Sequence, residues 1–555
     1  MWRYMARNKA RFVLLIVLLI ANGITVVNFA LVMGRLMDCA VGNGQELLAA
    51  LASNIIYLVF STLLLAFYSW TEAAVIADAR GSLKKDVFMG IMGKSVADFD
   101  SAGSGEYINE LSNNVNMLES VYFRNIIQAM QSLVAFLSAT VICISIQPQI
   151  LVLMLLLALV TLGVTKFTAA SMEKTSENFA RCSQEYMQDL QDAFGGFRLI
   201  LSFGIMKAIL KKHDLKNVSM EQAKRKNRNQ LILCSCMGLF TGFFSTVVIM
   251  AATVWFCLQG MLSVGMVIAF GQLIGKIINP VTELPAIIAN FRTARPLQAR
   301  MEKLMDGNRK SGTETLPGIK DGITLEQLSF RYQEDKEVLQ ELSFRFENGR
   351  HYAIVGSSGS GKSTMLSLLS GYYPDYEGRI LLDQTELRQL SEKSRCSLVG
   401  VVSQDAFLFN DTLQNNITLF EDCPRQMLDK AIEDAGLKEF VDTLPAGLQT
   451  MVEESGKNFS GGEKQRISLA RVILRRSSVL LLDEFTANLD ERTAKEIEQR
   501  ILARKDSLVI TVTHRLNQEI LRQYDRILVL SQGKLAASGT YEELQQKKAL
   551  PVSGL

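Results

Sequence analysis

The stretch HYAIVGSSGSGKSTMLSLLS, residues 351–370, places a glycine-rich turn between an apolar run and a helix-like run. The turn is GSSGSGKST, residues 356–364, and it follows the pattern G-x-x-x-x-G-K-[ST]. This pattern is typical of a loop whose backbone N–H groups surround phosphate oxygens at the start of a helix. The apolar run before the turn favours a strand. The stretch therefore predicts an α/β fold that binds a phosphate group where this strand ends.

The same loop predicts how ATP is held. We expect the backbone N–H groups of residues 357–362 to surround the β-phosphate, and Lys362 to bridge the β- and γ-phosphates. The Ser363 hydroxyl is predicted to bind Mg²⁺. The predicted nucleotide contacts in this loop are Gly356, Ser357, Ser358, Gly359, Ser360, Gly361, Lys362, Ser363 and Thr364.

Short apolar runs alternate with helix-like runs after this loop, which predicts a mostly parallel sheet. One of them, SVLLLDE (478–484), ends in two acids. We expect Asp483 to hold Mg²⁺ through water, and Glu484 to orient and polarise the water that attacks the γ-phosphate. The next apolar run, ITVTHR (510–515), puts His514 just past a strand end, where it is predicted to contact the same site.

The first half of the chain consists of long apolar runs. The first follows a basic N-terminus, as in a signal peptide, but its apolar pattern continues past Gly23 and is long enough to cross about 30 Å of hydrocarbon. We expect a multi-domain membrane protein, with an all-α transmembrane domain of six helices at 1–305, a linker at 306–322 and an α/β nucleotide-binding domain at 323–555. The predicted spans are about 12–37, 50–75, 121–146, 149–170, 231–258 and 264–290.

Charge in the connections between these spans predicts orientation. The connections after the second and fourth spans are rich in Lys and Arg, whereas those after the first, third and fifth have none. Lys and Arg mark the cytoplasmic side of a bilayer. We therefore expect both termini and the nucleotide-binding domain in the cytoplasm. The protein itself is expected to be an integral protein of a bacterial cell membrane. No basic tract with interleaved aromatic residues predicts nucleic acid as a partner.

The two cytoplasmic connections, about 75–120 and 170–230, are long. Their helical spacing and few breakers predict that the membrane helices continue into the cytoplasm. Interruptions at DFDSAGSGEY (98–107) and SFGIMK (202–207) predict a short helix near each turn.

Four charged residues lie near membrane depth: Glu72, Asp78, Lys276 and Glu283. An unpaired charge in lipid is costly, so these side chains should face a water-filled cavity or a partner. A role in a substrate pathway and simple solvation of a cavity both fit this position. The eight cysteines show no metal-ligand spacing and are expected to be reduced, small apolar side chains.

A second stretch, KNFSGGEKQR (457–466), also reads as a helix start. Gly461 and Gly462 let backbone N–H groups approach a ligand closely, and the positive end of the following helix attracts an anion. The chain therefore has two predicted binding sites for the triphosphate of one nucleotide, whereas a single nucleotide-binding domain needs one.

The order of these motifs resembles the ATP-binding cassette (ABC) family, specifically exporter half-transporters with six spans fused to one nucleotide-binding domain. The resemblance covers nearly the whole chain and answers the question of the second site. It implies that the helix start at Ser460, Gly461, Gly462 and Glu463 caps the γ-phosphate held by the loop of a partner chain. It further implies that Tyr332 stacks on adenine, that Gln404 senses Mg²⁺ and the γ-phosphate, and that Asp490 closes a loop at the dimer contact.

The resemblance and the residue types together predict a role for each side chain of the site. The expected catalytic residues are Lys362, Gln404, Glu484 and His514, and the expected Mg²⁺ ligands are Ser363, Gln404 and Asp483. Glu463 departs from the family pattern, which has Gln there, whereas Glu484 and His514 match it. This asymmetry favours a heterodimer with a second half-transporter over a homodimer.

The expected function is ATP-driven export by alternating access, with a dimer that sandwiches ATP between its two nucleotide-binding domains. The alternatives are metal-chelate import on the same scaffold, or an ATP-gated regulatory subunit without net pumping. The expected partners are the lipid bilayer and a transported amphiphile, and peptide, lipid and drug-like molecules all remain open as substrates.

Overall fold

The computed structural model describes residues 1–41, 46–306, 312–332, 337–404, 406–515 and 517–549, without the side chains of residues 165, 168–170 and 173. Residues 307–311 of the predicted linker lie outside the described residues. The chain divides into two compact units. The first comprises Met1–Met92 and Ser104–Gly307, and the second comprises Gly93–Gly103 and Asn308–Leu555.

The first unit is helical throughout, apart from short connections. Its helices, together with the short α4 of the second unit, are α1 (Trp2–Met5), α2 (Lys9–Val41), α3 (Leu47–Met92), α4 (Val96–Ala102), α5 (Ser104–Asn109), α6 (Val115–Leu118), α7 (Asn125–Ile146), α8 (Pro148–Gly195), α9 (Phe197–Phe203), α10 (Met206–Leu258) and α11 (Val264–Met305). Two π-helical segments, Glu110–Asn114 and Glu119–Arg124, join α5, α6 and α7 into one rod.

Five described helical segments are long and apolar enough to cross a membrane, and a shorter apolar one, Pro148–Val164, begins α8. The five are Lys9–Val41, Leu47–Met92, Ser104–Ile146, Met206–Leu258 and Val264–Met305. Their apolar windows differ in burial, from 0% in α3 to 44% in α11. The helix α11 is therefore central in this unit, whereas α3 presents its apolar surface outward.

Small residues let the central helix approach its neighbour. A Cβ on Gly265 of α11 would lie 1.9 Å from the carbonyl oxygen of Gly34 on α2, so only glycine fits this crossing. Asp38 closes the same contact, because its Oδ1 accepts from the Gly265 N–H at 2.7 Å and its Oδ2 from the Ser263 hydroxyl at 2.7 Å. This carboxylate adds a partner at the N-terminal turn of α11, beside the Ser263 cap whose Oγ accepts from the Met266 N–H at 3.3 Å.

The long helices extend well beyond the length of a span, and short helices lie near both predicted interruptions. The first, α4, begins at the Ser95 cap and overlaps the predicted stretch 98–107. The second, α9, overlaps the stretch 202–207 only at its last two residues, Ser202 and Phe203. It extends no further because Gly204, with a left-handed φ of 64°, ends the helix at the point where the sequence pattern breaks.

The second unit is an α/β domain with two sheets. Its strands are β1 (Gly322–Arg331), β2 (Glu337–Glu347), β3 (His351–Gly356), β4 (Glu377–Leu382), β5 (Thr385–Glu386), β6 (Val399–Val402), β7 (Val479–Asp483), β8 (Leu508–Val512), β9 (Arg526–Ser531) and β10 (Lys534–Gly539). Its helices, after α4, are α12 (Lys362–Leu369), α13 (Glu392–Leu398), α14 (Leu413–Thr418), α15 (Arg425–Asp434), α16 (Lys438–Thr443), α17 (Gly461–Arg475), α18 (Glu491–Leu502), α19 (Gln518–Leu521) and α20 (Tyr541–Gln546). The predicted order of a helical region followed by an α/β domain is confirmed.

The larger sheet determines where the predicted phosphate-binding loops meet. Its strand order is β10-β9-β3-β8-β7-β6, with parallel pairing from β9 to β6, and the smaller antiparallel sheet has the order β2-β1-β4-β5. Parallel strands end at the same edge, and ligands bind at that carboxyl edge in open α/β sheets. The ends of β3, β6, β7 and β8 therefore bring four separate loops together.

The strand β7 shows why these runs are apolar throughout. Leu481 packs in the core cluster that includes α12, while Leu480 and Leu482 pack in the cluster that includes α17. A strand buried on both faces has no solvated face for polar residues. The acids that follow Leu482 thus stand out as the first polar groups at the edge of the sheet.

Candidate ATP site

The phosphate loop turns sharply between β3 and α12. Gly359 and Gly361 have φ of 77° and 101°, a region that favours glycine. The Lys362 side chain is folded into the loop, where its ammonium donates to the carbonyl oxygens of Gly356 at 3.0 Å and Ser357 at 2.9 Å. Burial lowers the pKa of Lys362, although the nearby carboxylates of Glu484 and Asp483 act in the opposite direction. The site thus holds a desolvated cation at the loop.

Asp483 lies at the end of β7 beside the loop. It is hydrogen-bonded with Ser363, and burial raises the pKa of its carboxyl group. Its Oδ1 is buried and has no hydrogen-bond partner among the residues that the structure describes. A buried carboxylate oxygen without a partner beside a hydroxyl is the donor set that a hard divalent cation prefers. The residues present therefore fit Mg²⁺.

Glu484 and two further predicted residues meet at this edge. The Oε1 atom of Glu484 lies 3.0 Å from Nε2 of His514, and the Oε2 atom of Glu484 accepts from the Gln404 amide at 3.3 Å. The Glu484 backbone has a left-handed φ of 47°, held because its N–H donates to the carbonyl oxygen of Val512 at 3.0 Å. Such conformations cost of order 1–3 kcal/mol and cluster at functional sites. Asp405, next to Gln404, lies outside the described residues.

Tyr332, at the end of β1, stands at the other side of the loop. Its hydroxyl is 3.0 Å from Oγ1 of Thr364, and its ring packs edge-on against Phe330 and Tyr373 at centroid distances of 4.9 Å and 5.3 Å. The residue is 51% exposed, so a ring face remains available to a planar ligand. This position fits the predicted stacking on adenine.

The second helix start, at α17, is closed by a reciprocal cap. The Ser460 N–H donates to Oε2 of Glu463 at 2.7 Å, and the Glu463 N–H donates to Oγ of Ser460 at 3.3 Å. This is a capping box, which the spacing S-x-x-E predicts and which our sequence reasoning missed. The Glu463 carboxylate therefore turns back onto its own helix start. The neighbouring Lys464 does not pair with this carboxylate. The Lys464 ammonium donates instead to the carbonyl oxygen of Ser455 at 2.8 Å.

The glycines of α17 sit against the loop that follows β7. A Cβ on Gly462 would lie 2.9 Å from the carbonyl oxygen of Asn488, and one on Gly461 would lie 3.3 Å from Cβ of Asn488. Asp490 ends this loop by capping α18, because its Oδ2 accepts from the Thr493 N–H at 2.9 Å. That hydrogen bond lowers the pKa of the Asp490 carboxyl. The helix start and the 487–490 loop are thus one packed surface.

Two residues that sequence reasoning missed hold this surface to the acidic edge. Gln465 is 1% exposed, and its amide donates to the carbonyl oxygen of Glu484 at 3.3 Å and accepts from the Asn488 N–H at 3.2 Å. Arg515, next to His514, donates to the carbonyl oxygen of Leu489 at 2.7 Å. A polar residue on a helix gives no local signal of such a bridge, because its partners come from tertiary packing.

We expect Gln465→Ala to destabilise the second unit by about 1–3 kcal/mol, since it removes two part-buried hydrogen bonds, each of which contributes about 0.5–1.5 kcal/mol. ATP hydrolysis should fall several-fold because the backbone of Glu484 loses its support, while ATP affinity should change little. Thermal unfolding and steady-state ATPase assays measure the two effects. The matched control is Gln499→Ala, a change of an exposed residue on α18. Equal effects of the two substitutions would contradict this role for Gln465.

Comparison with protein families gives two matches in one chain. The description "ABC transporter transmembrane region" matches residues 12–281, and the description "ABC transporter" matches residues 339–487. The second range contains the phosphate loop, the helix start of α17 and both acids of the site. The second unit is thus an ATP-binding domain of this family.

Individual relatives align over most of their length. The protein named "Putative multidrug export ATP-binding/permease protein YgaD" of Bacillus subtilis is 29% identical, over 86% of this chain and 83% of its own. The ATP-dependent lipid A-core flippase of Photobacterium profundum is 25% identical, over 98% of this chain and 94% of its own.

A solved structure is similar over nearly the whole chain. The structure of a bacterial Atm1-family ABC exporter with ATP bound has a TM-score of 0.83 and 26% sequence identity, and the match covers 97% of this chain and 96% of that one. This similarity, the two family matches and the geometry at the carboxyl edge of the sheet together show that this chain belongs to the ABC transporter family. It is an exporter-type member that joins a transmembrane region to an ATP-hydrolysing domain.

Proposed function

We propose that this chain is one half of a dimeric exporter that couples ATP hydrolysis to alternating access. The observation that carries the proposal is the meeting of Gln404, Glu484 and His514 at one edge of the sheet, beside Lys362 and Asp483. Four loops from distant parts of the sequence converge there. Structural packing alone gives no reason for so many charged groups at the end of a buried sheet.

Lys362 provides the charge that positions the triphosphate. Its ammonium donates to two carbonyl oxygens of its own loop, and phosphate oxygens are stronger acceptors because they are ionised. We therefore propose that the ammonium turns from Gly356 and Ser357 to the β- and γ-phosphates. The loop N–H groups of residues 357–362 complete the cradle.

Glu484 is proposed to position and polarise the attacking water. His514 and Gln404 hold the two oxygens of its carboxylate, so the side chain cannot rotate away from the strand end. Phosphoryl transfer depends mostly on positioning and charge stabilisation, which makes this rigidity useful. Ser363, Asp483 and Gln404 would hold Mg²⁺, which supplies charge neutralisation at the phosphates when bound.

The helix start of α17 is proposed to complete the site of a second chain. The first-turn N–H groups of a helix lack intrahelical acceptors, and those of Gly461 and Gly462 are not screened by side chains. The Glu463 carboxylate accepts from the Ser460 N–H, so its negative charge is held at its own helix start, where the helix dipole favours it. ATP held between two such faces draws the chains together, and hydrolysis removes that bridge.

The capping box also bears on the identity of the partner. It accounts for Glu463 within one chain, without any asymmetry between two chains, so the argument from this residue for a heterodimer is weakened. The pairing we propose is with a second half-transporter, and co-purification decides which one. Affinity purification of this tagged chain from its host membrane should yield either a second copy or one similar chain at equal amount.

We further propose that the transported molecule is an amphiphile moved out of the cytoplasm of a bacterial cell, with both nucleotide-binding domains on the cytoplasmic side. The relatives named for export and for flipping of a lipid support this direction. The test is ATP-dependent movement of a fluorescent lipid analogue in proteoliposomes that contain the purified pair. Hydrolysis that proceeds without movement of any tested amphiphile would argue for the regulatory alternative.

A further inference from the structure

A polar cavity of about 240 Å³ lies among the apolar helices of the first unit. It is formed by α2, α7 and α11. Its polar lining residues are Asn22, Gln131, Ser132, Lys276, Asn279 and Glu283. Three of these residues belong to the central helix α11, so the cavity lies along the most buried element of the unit.

Lys276 is the cationic group of the cavity. It is half-buried, and no acceptor lies within hydrogen-bonding or salt-bridge distance of its ammonium among the residues that the structure describes. A cation among apolar helices at membrane depth costs several kcal/mol unless an anion or water meets it. The protein thus leaves an unmet requirement for negative charge here.

Glu283 is the anionic group of the same cavity. Its Oε2 accepts from the Ser132 hydroxyl at 2.9 Å, and this neutral donor leaves the charge of the carboxylate uncompensated. Glu283 follows Lys276 by seven residues, which places the two Cα atoms two turns and about 10.5 Å apart on one face of the helix. The cavity therefore presents separated charges of opposite sign.

Asn22 adds a third requirement. The residue is 7% exposed, and its Oδ1 has no hydrogen-bond partner among the described residues. A buried acceptor without a donor is unfavourable, and a donor on a bound molecule would remove that cost. The neighbouring Gln131 differs, because its amide already donates to the Tyr68 hydroxyl at 2.8 Å.

We propose that this cavity binds the zwitterionic headgroup of an amphiphile, with its anionic group at Lys276 and its cationic group at Glu283. A hydroxyl or N–H donor of the headgroup satisfies Asn22. A molecule with one charge would meet a like charge on this helix, whereas a zwitterion satisfies both ends. The inference rests on the proposed function and names the class of molecule that is transported.

The test uses amphiphiles with one dodecyl chain and different headgroups. Dodecylphosphocholine is zwitterionic, dodecyl methyl phosphate carries one negative charge and dodecyltrimethylammonium carries one positive charge. Glycerophosphocholine, a phosphocholine diester without an alkyl tail, represents a soluble zwitterion. Binding to the full-length protein in lipid discs is measured at equilibrium, with ATPase stimulation as a second readout. We expect dodecylphosphocholine to bind about tenfold more tightly than either singly charged probe, a factor equivalent to 1.4 kcal/mol. Glycerophosphocholine should bind more weakly still.

Substitutions then separate charge recognition from folding. Lys276→Met should weaken the binding of dodecylphosphocholine and strengthen the binding of the cationic probe, because only Glu283 remains charged. Glu283→Gln should give the mirror result with the anionic probe. The exchange of both charges, Lys276→Glu with Glu283→Lys, should keep the preference for the zwitterion. The control is Lys303→Met, an exposed position on α11 that does not line the cavity.

Two results would overturn the inference. One is a wild-type protein that prefers a singly charged probe to the zwitterion. The other is an equal change for all three dodecyl probes in both single variants, which indicates a structural role or pairing with a second chain. Basal ATPase activity tests the proposed function separately from the cavity. A wild-type protein without ATPase activity would count against the proposed function, whereas the binding preferences above test the cavity alone.

Discussion

Glu484→Gln is expected to lower ATP turnover by about 100-fold or more, the range found when a group that assists proton transfer is removed. The amide keeps the shape of the side chain and its neighbours, but it cannot polarise a water molecule as a carboxylate does. ATP should still bind with nearly unchanged affinity, so the variant should accumulate in a nucleotide-bound, closed dimer. Steady-state phosphate release and retention of labelled ATP after gel filtration measure these two effects.

The matched control for this prediction is Glu496→Gln on α18, where the carboxylate makes a surface ion pair with Arg492 at 3.1 Å. That substitution should leave turnover within about twofold, because exposed pairs contribute little. In a heterodimer the equivalent Glu of the partner must be intact in both samples. Near-wild-type turnover in Glu484→Gln would refute the role assigned to this carboxylate.

Lys362→Ala is expected to weaken ATP binding by about 100-fold or more at the site of this chain, since charge-assisted hydrogen bonds to a phosphate contribute about 1.5–3 kcal/mol each. The lysine donates to two loop carbonyls in the structure, so its loss also removes support from the loop. Equilibrium binding of a fluorescent ATP analogue gives the affinity. Thermal unfolding without nucleotide separates this loss from misfolding.

Lys393→Ala, at an exposed position on α13, is the control for the loss of one positive charge. It should bind the analogue as the wild type does. An unchanged affinity in Lys362→Ala, with a folded protein, would contradict the assignment of the phosphate loop. The binding assay reports on the loop itself, whereas turnover in the proposed dimer also depends on the partner chain.

Local chemistry explains which parts of this protein could be predicted from the sequence. The loop 356–364 and the acids after β7 each combine a buried strand with an abrupt change of residue type, so one segment carries both the fold and the site. The apolar runs of the first half are similarly self-sufficient, because crossing a bilayer requires length and apolarity alone. The predicted short helices near residues 98–107 and 202–207 followed from breaks in periodicity.

The parts that could not be predicted depend on contacts between distant segments. Gln465 and Arg515 are ordinary polar residues in the sequence, and only packing gives them backbone partners at residues 484–489. Glu463 is different, since a local rule existed for it. Its distance of three residues from Ser460 predicts a capping box, and comparison with the family pattern drew attention to its charge instead.

The most direct test of the central claim compares lipid discs that hold one chain with discs that hold two chains, with Mg²⁺ and ATP present in both. In the proposed dimer the phosphate loop of each chain requires the α17 helix start of the other. We therefore predict that hydrolysis per chain occurs in two-chain discs and is nearly absent in one-chain discs. Light scattering gives the number of chains per disc, and phosphate release gives the rate. Equal hydrolysis per chain in the two samples would contradict a site shared between two chains.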